Sequence, residues 1–381
     1  MKTRRMIFAT VLASASVLHI PTEVTQAQQN GPLTLALSGA EAQATLAYWT
    51  PERLASAQPM PLPRPAFTPE TAPEPQLVAA PQGSNFRGPT LNIRPDLTNL
   101  LYDPATAQIE PETTTEDGVE PENEGTFRAP YTSSRIVPLT ADTTYPFRAV
   151  GKFFFTQPGV GNFVCSAGVI SRRVIATAGH CVHRGSGGGA GFYTNFLFVP
   201  AYRNGVAPFQ SWNWAYVIVT GTWAAGGGVV PNAADYAMLE VQDRVIGGAV
   251  RRLGDLTGSF GWQTLSLARN HTTKLGYPVN LDNGLLMHQE QSANFRATAP
   301  NNVEYGSHSR GGSSGGPWVQ NFGVAAAGQV GGLNPGPNRV VGVTSYGYVS
   351  LDPKVQGASI LDSRWVALWN AVCAHRIGNC V

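Results

Sequence analysis

From about Ile136 onward, short apolar runs recur along the chain, and most are separated by Gly, Asn or Pro. They are Phe147–Phe155, Phe163–Ile170, Arg173–Thr177, Asn195–Val199, Ala215–Thr220 and Tyr236–Val241, then Thr264–Leu267, Leu285–Gln289, Asn294–Ala297, Pro317–Val319 and Val340–Ser345. Val, Ile, Phe, Tyr and Thr dominate them. Short β-prone runs between turn formers predict an antiparallel sandwich or barrel. Residues 136–381 are enough for two six-stranded antiparallel β-barrels, an all-β fold. The last segment has a different period. Leu361, Trp365, Leu368, Trp369 and Val372 recur at three or four residues and predict a C-terminal helix with one apolar face. Asp362 or Ser363 is placed to cap its start.

The pattern before Ile136 is unlike this. Residues 28–135 hold 16 of the 29 prolines and no cysteine. Met60-Pro61-Leu62-Pro63-Arg64-Pro65 reads as a polyproline-like stretch, and Glu110 to Glu124 is an acidic run with few apolar residues. The formal charge of +2 hides a split: residues 28–135 carry a net of −7 and residues 136–381 a net of +7. Two expectations follow for 28–135. The plainer is a largely disordered, solvated Pro-rich linker. The sharper is a propeptide that covers the basic domain by charge complementarity.

Residues 1–27 read as a signal peptide. Lys2, Arg4 and Arg5 precede the apolar run Met6–Ile20, and Thr25-Gln26-Ala27 offers a small-x-small cleavage site. The run is shorter than the roughly 20 residues of a spanning helix. A secreted product, extracellular or periplasmic, is therefore expected. Four cysteines in an exported chain predict two disulfides, with Cys165–Cys181 and Cys373–Cys380 the most local pairing. None forms a paired C-x-x-C site, so neither a metal nor another cofactor is expected.

Candidate chemistry centres on Gly311-Gly312-Ser313-Ser314-Gly315-Gly316-Pro317. Glycine permits close backbone approach, so a serine here is accessible and has peptide N–H groups beside it to receive a negative oxygen. The plainer reading is a flexible glycine loop. A base and an acid are also present. Thr177-Ala178-Gly179-His180-Cys181 puts a histidine where a strand ends, beside a candidate crosslink. Asp235 heads a strand with Ala237, Leu239 and Val241 on one face. An acid among such residues needs a polar partner, and an imidazole N–H is suitable; its plainer role is to start a strand or turn.

Thr-Ala-Gly-His-Cys, Asp-x-Ala-x-Leu-x-Val and Gly-x-Ser-Gly-Gly-Pro occur in the order His, Asp, Ser. Together they resemble the chymotrypsin-like (trypsin-like) serine endopeptidases. Thr143–Gly151 and Gly311–Gly315 are more specifically similar to the bacterial glutamyl-endopeptidase-like branch. The resemblance covers about 136–381 and implies two β-barrels in a serine peptidase domain. It implies His180, Asp235 and Ser314 as the catalytic set, Ser314 being the serine that Gly-Gly-Pro follows directly. It further implies Gly312 and Ser314 N–H groups as an oxyanion hole, and Ser345-Tyr346-Gly347 as an edge that pairs with an extended peptide. A catalytically idle homologue that binds a partner is the alternative reading.

Two departures from that pattern stand out. Many animal members have an aspartate before the nucleophile that receives a new N-terminal ammonium; Ser313 stands there. Arg135-Ile136-Val137 looks like an activation site, yet Ile136 would find no carboxylate at Ser313. His308, Ser309 and Arg310 line the implied specificity site. They favour Glu or Asp before the scissile bond by charge pairing. Glutamyl enzymes usually carry a histidine near Thr344-Ser345, however, and its absence keeps a neutral or apolar preference open. The implied partners are protein or peptide substrates and the chain's own acidic prosegment. Nucleic acid and, after signal removal, membrane are not expected, and the expected state is a monomer. His183, His271 and His288 read as packing or surface residues, and Gly185–Gly191 as a mobile loop beside the cleft.

Overall fold

The computed structural model describes residues 31–66, 80–109, 129–268, 270–323, 336–348 and 354–380. The signal-peptide reading and the acidic run at 110–124 lie outside them.

Six strands close a barrel: β5 (Val150–Gln157), β6 (Gly161–Val169), β7 (Val174–Thr177), β8 (Thr194–Pro200), β9 (Trp212–Val219) and β10 (Ala237–Val241). Their order is β9-β10-β7-β6-β5-β8, and β8 pairs back onto β9. Every residue of β9 and β10 is buried, on both faces. The reason is an outer layer: α1 (Gly39–Tyr48) packs on β8 and β9, and α2 (Ser363–His375) on β9 and β10. Strands covered on both sides read as continuous rather than alternating apolar runs. Asp362, one of the two expected caps, caps α2, its carboxylate accepting from the Arg364 N–H.

A hairpin, β11 (Arg244–Ile246) and β12 (Ala249–Arg251), follows the barrel. The second sheet uses β13 (Gly261–Gln263), β14 (His271–Gly276), β15 (His288–Thr298), β16 (Asn302–Gly306), β17 (Pro317–Gln320), β18 (Arg339–Val343), β19 (Tyr346–Gly347) and β20 (Val355–Ser359). Their order is β19-β20-β16-β15-β14-β17-β18-β13, and the described pairings leave it open. Thr264–Leu267 is a turn rather than a strand: Leu265 has φ 56°, outside the extended region. Asn294–Ala297 lies in the later part of the single strand β15, to which Leu285–Gln289 contributes only His288 and Gln289.

The described parts of the upstream segment depart from the plainer expectation of a solvated linker. These parts lie on the domain rather than free in solvent. They supply β1 (Leu33–Ala36), β2 (Gln58–Pro59), β3 (Gly83–Ser84) and β4 (Tyr131–Arg135), which pair with β9, β6, β13 and β15 respectively. Added edge strands satisfy backbone groups whatever their composition. The anchors are sparse but large: Trp49, Leu54, Leu62 and Tyr102 are buried, and the Trp49 indole donates to the Asn195 carbonyl at 2.6 Å. Ser38 and Glu41 form a capping box on α1, worth about 1 kcal/mol. Among the described residues no helix is long and apolar enough to cross a membrane.

Candidate active site

The His180 turn, Gly179–Cys181, follows β7 directly. Antiparallel pairing of β7 with β10 sets Thr177 opposite Ala237, and this register delivers Asp235 to the turn. The acid is fully buried and the imidazole nearly so. One carboxylate oxygen accepts from the His180 backbone N–H at 2.8 Å; the other lies 2.8 Å from His180 Nδ1. Ser345 donates to that second oxygen at 2.6 Å, and the Asp235 N–H donates to Ser359 Oγ at 3.0 Å. An ionised carboxylate accepting from Nδ1–H leaves Nε2 as the basic nitrogen. The ring of Trp223 lies 6.0 Å from that of His180.

The Cys165–Cys181 disulfide ties β6 to the histidine turn, and Cys373–Cys380 closes the end of α2, the pairings expected from locality. Cys165, Cys181 and His180 cluster within 4.8 Å. The two sulfurs are bonded to each other, so that cluster offers no thiolate to a metal.

The glycine-rich loop is rigidly tied. Ser166, which the sequence did not single out, holds it twice: its N–H donates to the Ser314 carbonyl at 2.7 Å and its hydroxyl to the Gly312 carbonyl at 2.8 Å. Gly315 donates to Thr344 O at 2.8 Å. Gly315 has φ +74°, and a Cβ there would sit 2.0 Å from Thr177 Oγ1 and 2.8 Å from Ala178 N. The loop is therefore pressed against the strand end that leads into His180. Ser314 is fully buried. Among the described residues neither Ser314 Oγ nor His180 Nε2 has a hydrogen-bond partner. Ser313 is held by Arg310, whose carbonyl accepts its hydroxyl at 2.6 Å, and by Gln356, whose amide donates to it at 2.9 Å. Gln356 also donates to the Ser309 carbonyl at 2.9 Å. Only the place of Ser313 beside Ser314 hinted at such a partner.

His308 sits over a buried charge cluster. Its Nδ1 lies 3.2 Å from a Glu290 oxygen, Lys274 Nζ lies 3.1 Å from the other, and Ser307 donates to Glu290 at 2.5 Å. Tyr131 stacks on the His308 ring at 5.2 Å. Burial alone would raise the Glu290 carboxyl, but Lys274 and His308 overcome it and hold it well below the usual carboxylate range. Ser309 and Arg310 are partly exposed beside this cluster. Tyr346 and Gly347 form β19, the sheet edge beside Gln356.

His183 and His288 take up the packing role that was one of their two expected ones. His183 is fully buried. Its Nε2 is 2.8 Å from Gly188 O, and its Nδ1 accepts from the Gly185 N–H at 3.0 Å. It thus pins the Gly185–Gly191 loop that the glycines had marked as mobile, and burial pushes its pKa down. His288 lies 2.7 Å from Asp282 through Nε2.

No family model matches the chain. A glutamyl endopeptidase of Bacillus licheniformis is 26% identical over 205 residues, 51% of this chain and 58% of that protein. The chain thus spans less than two thirds of that relative's length. The resemblance is to chymotrypsin-like, glutamyl-endopeptidase-like proteins. Among solved structures, protease Anisep from Arthrobacter nicotinovorans is 27% identical, with 64% of this chain and 100% of that one covered and a TM-score of 0.49. A thermostable serine protease, AL20, is 26% identical with coverage of 62% and 100% and the same TM-score of 0.49.

Proposed function

We propose that the chain is a secreted serine endopeptidase. The observation that carries this is the buried Asp235 carboxylate. It fixes both the backbone and Nδ1 of His180, while the loop bearing Ser314 is pressed against the same strand end. Ser314 Oγ attacks the scissile carbonyl, and His180 Nε2 takes its proton. The tetrahedral intermediate collapses to an ester on Ser314 as His180 passes that proton to the leaving amine. Water then hydrolyses the ester by the same route and restores the serine. Asp235 keeps Nδ1 protonated and stabilises the imidazolium. The Gly312 and Ser314 N–H groups receive the developing oxyanion, each worth about 100- to 1000-fold in rate.

The specificity site reads as a preference for an acidic residue before the scissile bond. Arg310 supplies a positive group, and His308, whose backbone N–H donates to Glu290 at 3.2 Å, supplies imidazole beside it. Both disulfides fit an oxidising, extracellular location.

A serine-directed phosphonate should label Ser314 alone, as read by peptide mass mapping. Ser314→Ala should abolish the label and lower turnover by about a million-fold. A label on another residue, or turnover that survives in Ser314→Ala, overturns the assignment. A peptide library reads specificity, and cleavage mainly after Leu or Phe rejects the acidic preference.

A further inference from the structure

The chain's own residues Gln58–Pro63 cross the candidate active site. β2 pairs in parallel with β6, Gln58 opposite Phe163 and Pro59 opposite Val164. The Met60 N–H donates to Val164 O at 2.8 Å. The Met60 carbonyl accepts from the Gly312 N–H at 3.0 Å, and the Pro63 carbonyl from the Gly347 N–H at 3.2 Å. Leu62 is buried, and a Cβ on Gly347 would meet its Cδ1 at 3.0 Å. The Gln157 amide reaches Met60 Sδ at 3.3 Å. One short segment thus occupies a donor of the oxyanion hole and a donor of the peptide-binding edge. Ser314 and His180 are buried while it is in place.

We propose that Gln58–Pro63 is an intrachain inhibitor that fills the substrate cleft and is itself resistant to cleavage. This rests on the peptidase reading for what it inhibits, but not for where it lies. Two observations make it a plug rather than a substrate. First, the carbonyl on Gly312 belongs to the Met60–Pro61 amide. Its nitrogen is tertiary and enclosed in a ring, so it is poorly placed to take the proton from His180 that expulsion requires. Second, the segment runs the wrong way. Gln356 donates to Ser309 O in the specificity site and pairs with Gly347, so residues before a scissile bond should run toward Gly347. Here the residue on Gly347 is Pro63, which follows Met60, while Gln58 and Pro59 lie on β6. The contacts of Gln58–Pro63 are backbone and apolar, and the segment itself carries no charged residue.

The segment is anchored on both sides. Upstream, Trp49 and β1 hold it to the barrel. Downstream, the Gln108 N–H donates to the Ala55 carbonyl at 2.9 Å, and Tyr102 is buried against Tyr202. Such tethering keeps the plug's effective concentration high, so modest contacts suffice.

The test uses the full chain and two variants, Leu62→Asp and the milder Leu62→Ala. It has two readouts, amide hydrogen exchange at Gly312 and Gly347, and labelling by the serine-directed phosphonate. Expected is protection of both amides in the wild type and exchange about 100-fold faster in Leu62→Asp, with labelling at least about tenfold faster. Leu62→Ala should fall between the two, which guards against misfolding of the aspartate variant. Unchanged exchange at both glycines in folded variants overturns the plug, and so does wild-type labelling as fast as that of the variants. Faster exchange with no labelling in any form leaves the plug standing and overturns the peptidase reading instead.

Discussion

Gly179→Ala isolates how closely the histidine turn is built. The backbone of Gly179 is one that alanine adopts freely, so only space opposes the change. A Cβ there would lie 2.8 Å from Trp223 Cγ and 3.0 Å from Asp235 Oδ1, where ordinary carbon contacts begin near 3.4 Å. Neither neighbour yields easily. The Trp223 indole donates to His183 O at 2.7 Å, and Asp235 is held by His180, Ser345 and its own N–H. Relief therefore means a shift of about half an ångström in the acid, the indole or the turn. Any of these lengthens the two 2.8 Å contacts between Asp235 and His180. Overpacking of this kind costs about 1–3 kcal/mol of stability, and misplacing a catalytic group by up to about 1 Å costs about 100-fold in rate. Urea unfolding measures the first and kcat on a cleaved peptide, normalised to titrated sites, the second. Activity within about threefold of wild type would refute the claim that the turn's geometry depends on the missing Cβ.

Two further outcomes follow from buried polar groups. Ser345→Ala removes a 2.6 Å hydrogen bond to a fully buried carboxylate, so unfolding free energy should fall by about 1.5–3 kcal/mol; a change below about 0.5 kcal/mol in urea titrations would contradict this. Lys152 donates to Gly284 O at 2.9 Å, and burial pushes its pKa down to about 7. The unfolded chain then binds the extra proton between about pH 7 and the ordinary lysine pKa of about 10.4. Stability from this group is therefore least below pH 7 and rises by about 2–3 kcal/mol by pH 9. Lys152→Met should lack that rise, and equal pH slopes in the two proteins would refute it.

The site was far more legible than the sheet that supports it. His180, Asp235 and Ser314 announce themselves because each lies in a short local motif, and in two of these the glycines, Gly179 and Gly315, leave no room for a Cβ. The strands β14, β16 and β20 passed unseen because their buried positions are polar. Lys274 on β14 pairs with Glu290, Glu304 on β16 with Arg296, and Gln356 on β20 with Ser313. A hydrophobic pattern search counts such residues as exposed, although pairing makes their burial tolerable. The described parts of residues 28–135 depart from a solvated linker for the opposite reason. Proline content describes solvated chain, but attachment by added strands depends on backbone groups that composition does not encode, and a few buried aromatic and leucine side chains complete it.

Ser313 and Arg135 bear on how such a protein would be switched on. An ammonium-triggered switch builds the oxyanion loop only after cleavage. Here the loop is tied with the upstream segment still attached: Gln356 and the Arg310 carbonyl hold Ser313, Ser166 holds Gly312 and Ser314, and the Gly312 N–H already faces the cleft, where Met60 accepts from it. Arg135 is the last residue of β4, paired along β15 and bonded to Asp282 at 2.9 Å, and the side chain of Ile136 is buried. Cutting between them would free a terminus with no carboxylate at position 313 to receive it and would leave Gln58–Pro63 where it is. With the proposed plug in the cleft, activation would come by uncovering a loop already built, and the decisive event would lie at the cleft segment rather than at Arg135.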